Sequence, residues 1–328
     1  MEQIAVVNEF DCFNPYTSEM FRGIAIILLV VGHYSVFCLQ GTQPFEMAGE
    51  IAVIFFLFLS GVGLTKSYGL NRINKIYFVN RVRRVIIPLW LTLALFFFLD
   101  FLLLKKVYSI LDILLPFMGI LGKSPPNGAA WFISYILYLY IIFYAVSHLN
   151  FHLYSKVILL FLLCYLTNKC IAIVPVFNHF FGGWNTYTFA FPLSILVALN
   201  ENPFARLLKR FQDINPAMVY FILIIIIFIY LSAEKFRTGY LIMLISIAAF
   251  LVSSMRLQVH LLKWIGAHSY EIYLLHLPFL TSYSYLGEKL PQSLRIIMYI
   301  SLLLLLSIVL KSLSLTLNNL VFPDLSEK

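Results

Sequence analysis

Charge is scarce in this chain: Asp, Glu, Lys and Arg make up only 12% of its 328 residues, about half the share of a soluble globular domain. Cysteine is scarce too. Four are scattered along the sequence, two of them (Cys38 and Cys164) inside apolar runs, so neither a disulfide framework nor a thiolate metal site is indicated. There is no Gly-rich phosphate loop, zinc-ligand spacing, nucleophile elbow, heptad array or internal repeat. A basic leader is also missing, because the first residues carry Glu2, Glu9, Asp11 and Glu19. The first apolar run is therefore expected to remain as an uncleaved anchor.

Apolar residues are what the chain has, at 61% with a mean hydropathy of +0.90. They run along almost its whole length, which points to one membrane-embedded domain over residues 1–328 with no appended soluble domain. The net charge of +8 sits in short loops between apolar runs, where it reads as a topology signal and a source of phosphate ligands, with no nucleic-acid partner. The expected fold is all-α, a polytopic transmembrane bundle of about ten helices. The expected spans are 22–40, 47–65, 85–104, 130–148, 157–174, 186–199, 217–232, 239–254, 265–283 and 294–315. Residues 108–121 are apolar but short and broken by Pro116 and Gly119, as in an interfacial or re-entrant segment. The loop 66–84 holds Lys66, Arg72, Lys75, Arg81, Arg83 and Arg84 without an acid. Placing it inside the cell makes both the N- and C-termini cytoplasmic.

Arg22 and His33 lie eleven positions apart in the first span. That is three full helical turns and about 16 Å, so both point the same way. Arg22 is expected near one membrane surface and His33 near mid-bilayer, where a titratable ring reads as functional unless it merely bonds a neighbouring helix. Arg81 and Arg84, one turn apart before Pro88, have forked guanidinia that suit a phosphorylated ligand, although positive-inside placement alone also explains them. Glu271, inside the ninth span, needs a partner. His33 is one candidate; a structural arginine or His268 on the same helix are the others. His276, five residues beyond, is expected to point off that face. Trp131, Tyr135, Tyr138 and Tyr140 read as an interfacial belt, some of which could line a sugar site. Ser60, Gly61 and Gly63 suggest close helix packing.

Taken in order, several stretches resemble acyltransferase family 3. They are Arg22 with His33, FFLFLSG at 55–61, RVRRVIIP at 81–88, WFISYILYLY at 131–140 and IGAHSYEIYLLH at 265–276. The resemblance implies an integral membrane enzyme of the bacterial cytoplasmic membrane that moves an acyl group, commonly acetyl, to a carbohydrate of the envelope. It further implies that His33 is the catalytic histidine, that Arg22 supports the same site, and that Arg81 and Arg84 hold an acyl-CoA donor such as acetyl-CoA from the cytoplasm. Glu271 matches a less uniform acidic position. No metal is implied. The expected partners are acyl-CoA, a glycan or lipid-linked saccharide acceptor, and membrane lipids. His33 is assigned general-base chemistry, with histidine's ordinary pKa of about 6.5 suited to accepting and returning a proton. Glu271 would then stabilise the imidazolium, and an acyl-histidine intermediate is the chemical alternative. The runner-up function is a transporter or flippase for a lipid-linked glycan, using His and Glu as a proton relay. A third reading is a structural subunit of an envelope complex.

Overall fold

A backbone in hydrocarbon has no water to bond, so an apolar chain must satisfy its own amides by coiling. The structure, a computed structural model, describes residues 13–38, 43–120, 125–173, 187–201 and 259–323, and among these it is helical with no strand. Among the described residues, six helices are long and apolar enough to cross a membrane. They are α1 (Pro15–Cys38), α2 (Gln43–Tyr68), α3 (Ile76–Leu104), α5 (Trp131–Ser147), α6 (Leu153–Ile173) and α10 (Gln292–Val321). Shorter pieces are α4 (Ile110–Phe117), α7 (Ala190–Leu199), α8 (His260–Ala267) and α9 (Ser269–Leu280). The expected spans at 217–232 and 239–254 lie outside the described residues.

Several boundaries differ from expectation, each for a local reason. Asn14 starts α1 early: its side chain accepts from the Thr17 amide at 2.9 Å, and Pro15 suits the first helical position because it has no N–H to leave unpaired. Arg22 is thus about two turns inside the helix. The third span starts at Ile76, so Arg81, Arg83 and Arg84 lie on a helix and not in a loop. The ninth span is not one continuous helix. It breaks at His268, whose Nδ1 bonds the Trp264 carbonyl at 2.9 Å. At 110–117, as the broken apolar pattern suggested, α4 has only eight residues, about 12 Å of rise.

Pro88 explains the main irregularity of α3. Lacking an N–H, it cannot continue the regular ladder, and residues Val82–Ile86 widen into a π turn in which the Ile87 amide reaches back to the Val82 carbonyl. Side chains of other helices take up the loosened carbonyls. Asn318 Nδ2 of α10 donates to Arg83 O at 3.1 Å, and the Tyr270 hydroxyl of α9 donates to Val85 O at 2.9 Å. The arginine-bearing turn is in this way tied to the C-terminal half of the chain.

Close packing brings the remaining helices in. α1 packs on α2, α8 and α9, while α2 packs on α7. At the α1–α8 crossing a Cβ on Gly266 would lie 1.7 Å from Glu19 O, and one on Gly23 would lie 2.1 Å from Leu262 O, so only glycine fits either place. A Cβ on Gly61 would lie 2.0 Å from Ser194 Oγ of α7, as the small-residue pattern suggested. Gly63 meets nothing within 4 Å.

Candidate active site

The site is spread between two ends of the bundle, joined by α1, α2 and α5. At one end lie Arg22, Arg81 and Arg84. Arg22 is within electrostatic reach of both other arginines, of Glu19 and of Tyr140. Arg81 is half-buried in a cage of three tyrosines, its guanidinium carbon 5.1 Å from the ring centre of Tyr140, 5.4 Å from Tyr77 and 6.0 Å from Tyr68. Cation–π attraction holds the charge there, and no acid pairs with it among the described residues. The cage is itself fixed: the Tyr77 hydroxyl donates to Tyr140 O at 2.9 Å, Ser60 Oγ bonds the Tyr140 hydroxyl at 2.6 Å, and Asn80 Nδ2 donates to the Tyr68 hydroxyl at 2.7 Å. Arg81 Nε is buried with no hydrogen-bond partner among the described residues. Arg81 immediately precedes the π turn, and Arg84, within it, is exposed. The expected side-by-side pair is therefore one caged and one exposed guanidinium.

At the other end His33 lines a cavity of about 190 Å³ with Phe37, Glu50, Trp131, Tyr187 and Tyr273. Trp131 and Tyr187 stack with ring centres 6.3 Å apart. His33 Nδ1 lies 2.8 Å from His276 Nε2, the two rings almost parallel with an interplanar angle of 8°. His33 Nε2 faces Gly49, where even an added Cβ would stand 3.6 Å away. His276 is 0% exposed, and its Nδ1 bonds the Tyr273 carbonyl at 2.6 Å.

The cavity wall depends on Pro278. With no N–H, it leaves Leu274 O without its usual helical donor, and Asn127 Nδ2 fills that role at 2.7 Å. Asn127 Oδ1 also accepts from the Ala129 amide at 3.0 Å, and the Tyr273 hydroxyl donates to Ala129 O. The turn ahead of α5 is thereby locked onto α9, which sets Trp131 beside His33.

Both ends fall within one sequence signature. The family model described as an acyltransferase domain, acyltransferase 3, matches residues 16–312. The chain belongs to the acyltransferase 3 family. No curated protein and no solved structure matches it. As a member of that family with this helix content, it is an integral membrane protein of acyltransferase type.

Within this family member the expected residues separate as follows. Arg22, Arg81 and Arg84 converge, and His33 faces a cavity on the same helix as Arg22. Glu271 does not join His33. The imidazole's hydrogen bond goes to His276, whereas Glu271, 8% exposed in the first turn of α9, is within reach of Lys311 of α10. Lys311 also donates to Ala267 O, so this acid belongs to the α8–α9–α10 corner. Spacing from Glu271 places His276 off the face of interest, whereas in the structure it is His33 that His276 bonds. The default that promoted His33, a histidine inside an apolar run, applied equally to His276. The aromatic series is no belt either: Trp131 lines the cavity, Tyr135 is core, Tyr138 bonds Thr167, and Tyr140 cages Arg81. Of the cage, Tyr68 and Tyr77 were missed and Tyr140 was noted only within the aromatic series, though Tyr77 and Arg81 stand at the i, i+4 spacing that lets helical neighbours meet.

Proposed function

We propose that this protein is a membrane O-acyltransferase that carries an acyl group, acetyl by expectation, from cytoplasmic acyl-CoA to a hydroxyl of an envelope or exported glycan. Its place is the bacterial cytoplasmic membrane, with both termini on the cytoplasmic side. The observation that carries the reading is the presentation of His33: one ring nitrogen is held by His276 while the other faces an aromatic-walled cavity. Aromatic faces such as Trp131 and Tyr187 suit the apolar face of a sugar ring, which leaves its hydroxyls to meet His33.

In this scheme Nε2 of His33 takes the proton of the acceptor hydroxyl as its oxygen attacks the thioester carbonyl. The C–O bond forms, the C–S bond breaks, and the proton passes from Nε2 to the departing thiolate. General-base help of this kind is usually worth about 10² to 10⁴ in rate. Arg22, Arg81 and Arg84 hold the phosphates of the donor. They position it and contribute little at the reacting carbonyl.

The test is purified protein in lipid nanodiscs, given radiolabelled acetyl-CoA and envelope glycan. His33→Ala is expected to lose about 10²-fold or more of the transfer rate while keeping its folded yield. Full transfer by a folded His33→Ala protein would sink the assignment.

A further inference from the structure

We propose that His276 is a positioning residue that fixes which nitrogen of His33 is the base, an inference that rests on the general-base reading above. The argument is one of proton accounting. A backbone carbonyl can only accept, so the 2.6 Å contact with Tyr273 O requires a proton on His276 Nδ1. A second proton on Nε2 would create a charge at a wholly buried ring with no carboxylate bonded to it among the described residues, which is costly. His276 Nε2 is therefore a lone pair, and the 2.8 Å contact makes His33 Nδ1 the donor. A neutral imidazole carries one proton. The lone pair of His33 is thus forced onto Nε2, the nitrogen facing Gly49, where it can receive the acceptor proton and later release it to the thiolate. The Nδ1 proton stays in place throughout.

His276 does not line the cavity and acts only through His33. Its own carbonyl accepts from the Tyr299 hydroxyl of α10 at 3.1 Å, which fixes the backbone that carries the ring. The element doing for His33 what a carboxylate does in a Ser-His-Asp triad is here a second, neutral histidine bonded to a main-chain carbonyl.

Two substitutions of similar length separate positioning from packing. His276→Met removes the acceptor and is expected to lower kcat about 10²-fold with KM for acyl-CoA unchanged; His276→Gln, whose amide oxygen can accept from His33 Nδ1, is expected to recover most of that loss. In a His33→Ala background, His276→Met is expected to cost nothing further. Equal kcat for the Gln and Met variants, or an undiminished Met effect in that background, would overturn the proposal. Nitrogen-15 spectra of histidine-labelled wild-type protein, with His33 assigned by loss of its signals in His33→Ala, supply a readout independent of variant folding. A proton on Nδ1 and none on Nε2 is the expected result, and the opposite tautomer refutes it. Full activity of His33→Ala would instead overturn the general-base reading while leaving the tautomer result standing.

Discussion

The two ends of α1 are built on opposite plans. Around Arg22 charge is gathered and softened: guanidinia from α1 and α3 come within reach of one another, and tyrosine faces hold that of Arg81. Around His33 no cation gathers among the described residues: the cavity is walled mainly by aromatic rings with Glu50, and the imidazole is oriented by another ring that donates to a carbonyl. The first plan suits a ligand that arrives charged and is held by many contacts. The second suits a proton that must move and return, because a ring already ion-paired would release it less readily. The same helix therefore serves affinity at one end and rate at the other.

That comparison is sharpest when each end is changed without the other. Arg81→Ala together with Arg84→Ala is expected to weaken acyl-CoA binding by about 10²-fold, from two charge-assisted hydrogen bonds at 1.5 kcal/mol or more each, with the turnover of saturated enzyme nearly unchanged. Calorimetric titration in nanodiscs alongside saturated turnover checks it, and a fall in kcat at unchanged affinity would erase the distinction between the ends. A smaller effect is expected where α1 leans on α8. Gly266→Ala should cost about 1–3 kcal/mol through overpacking against Glu19 O, read as a lower unfolding temperature, while Gly63→Ala, with open space around it, should leave that temperature unchanged. The smallest effect is expected from Glu271→Gln. Its carboxylate is within electrostatic reach of Lys311 and makes no bond to His33 among the described residues, so transfer rate and donor affinity should both stay close to wild type; a collapse of kcat would return Glu271 to the histidine end.

Much of the arginine end could be read in the sequence because its cations are neighbours there. Arg81 and Arg84 lie in one short basic run, and the interval from Arg22 to His33 obeys a single helical period. The cage around Arg81 was legible only in part: Tyr77 is one turn away, but Tyr68 and Tyr140 come from two other helices. At the histidine end His33 was legible as a ring inside an apolar run, but its partner was not. His33 and His276 are 243 positions apart, and no local spacing could pair them. Glu271 looked the better partner because a buried carboxylate demands a cation, and the cation within its electrostatic reach, Lys311, sits on α10.

Composition alone determined that the chain is helical and membrane-embedded, since apolar runs in a solvent without hydrogen bonds leave the backbone no other economical arrangement. It also determined where the cations gather and that a titratable ring lies deep among apolar residues. Only the tertiary structure decided the ring's partner, which nitrogen faces the cavity, and which aromatic side chains line the cavity and which cage an arginine. Those outcomes depend on helix crossings set by glycine contacts and on carbonyls freed by Pro88 and Pro278. Such contacts join residues far apart in the chain, and their directions are fixed only once the helices have packed.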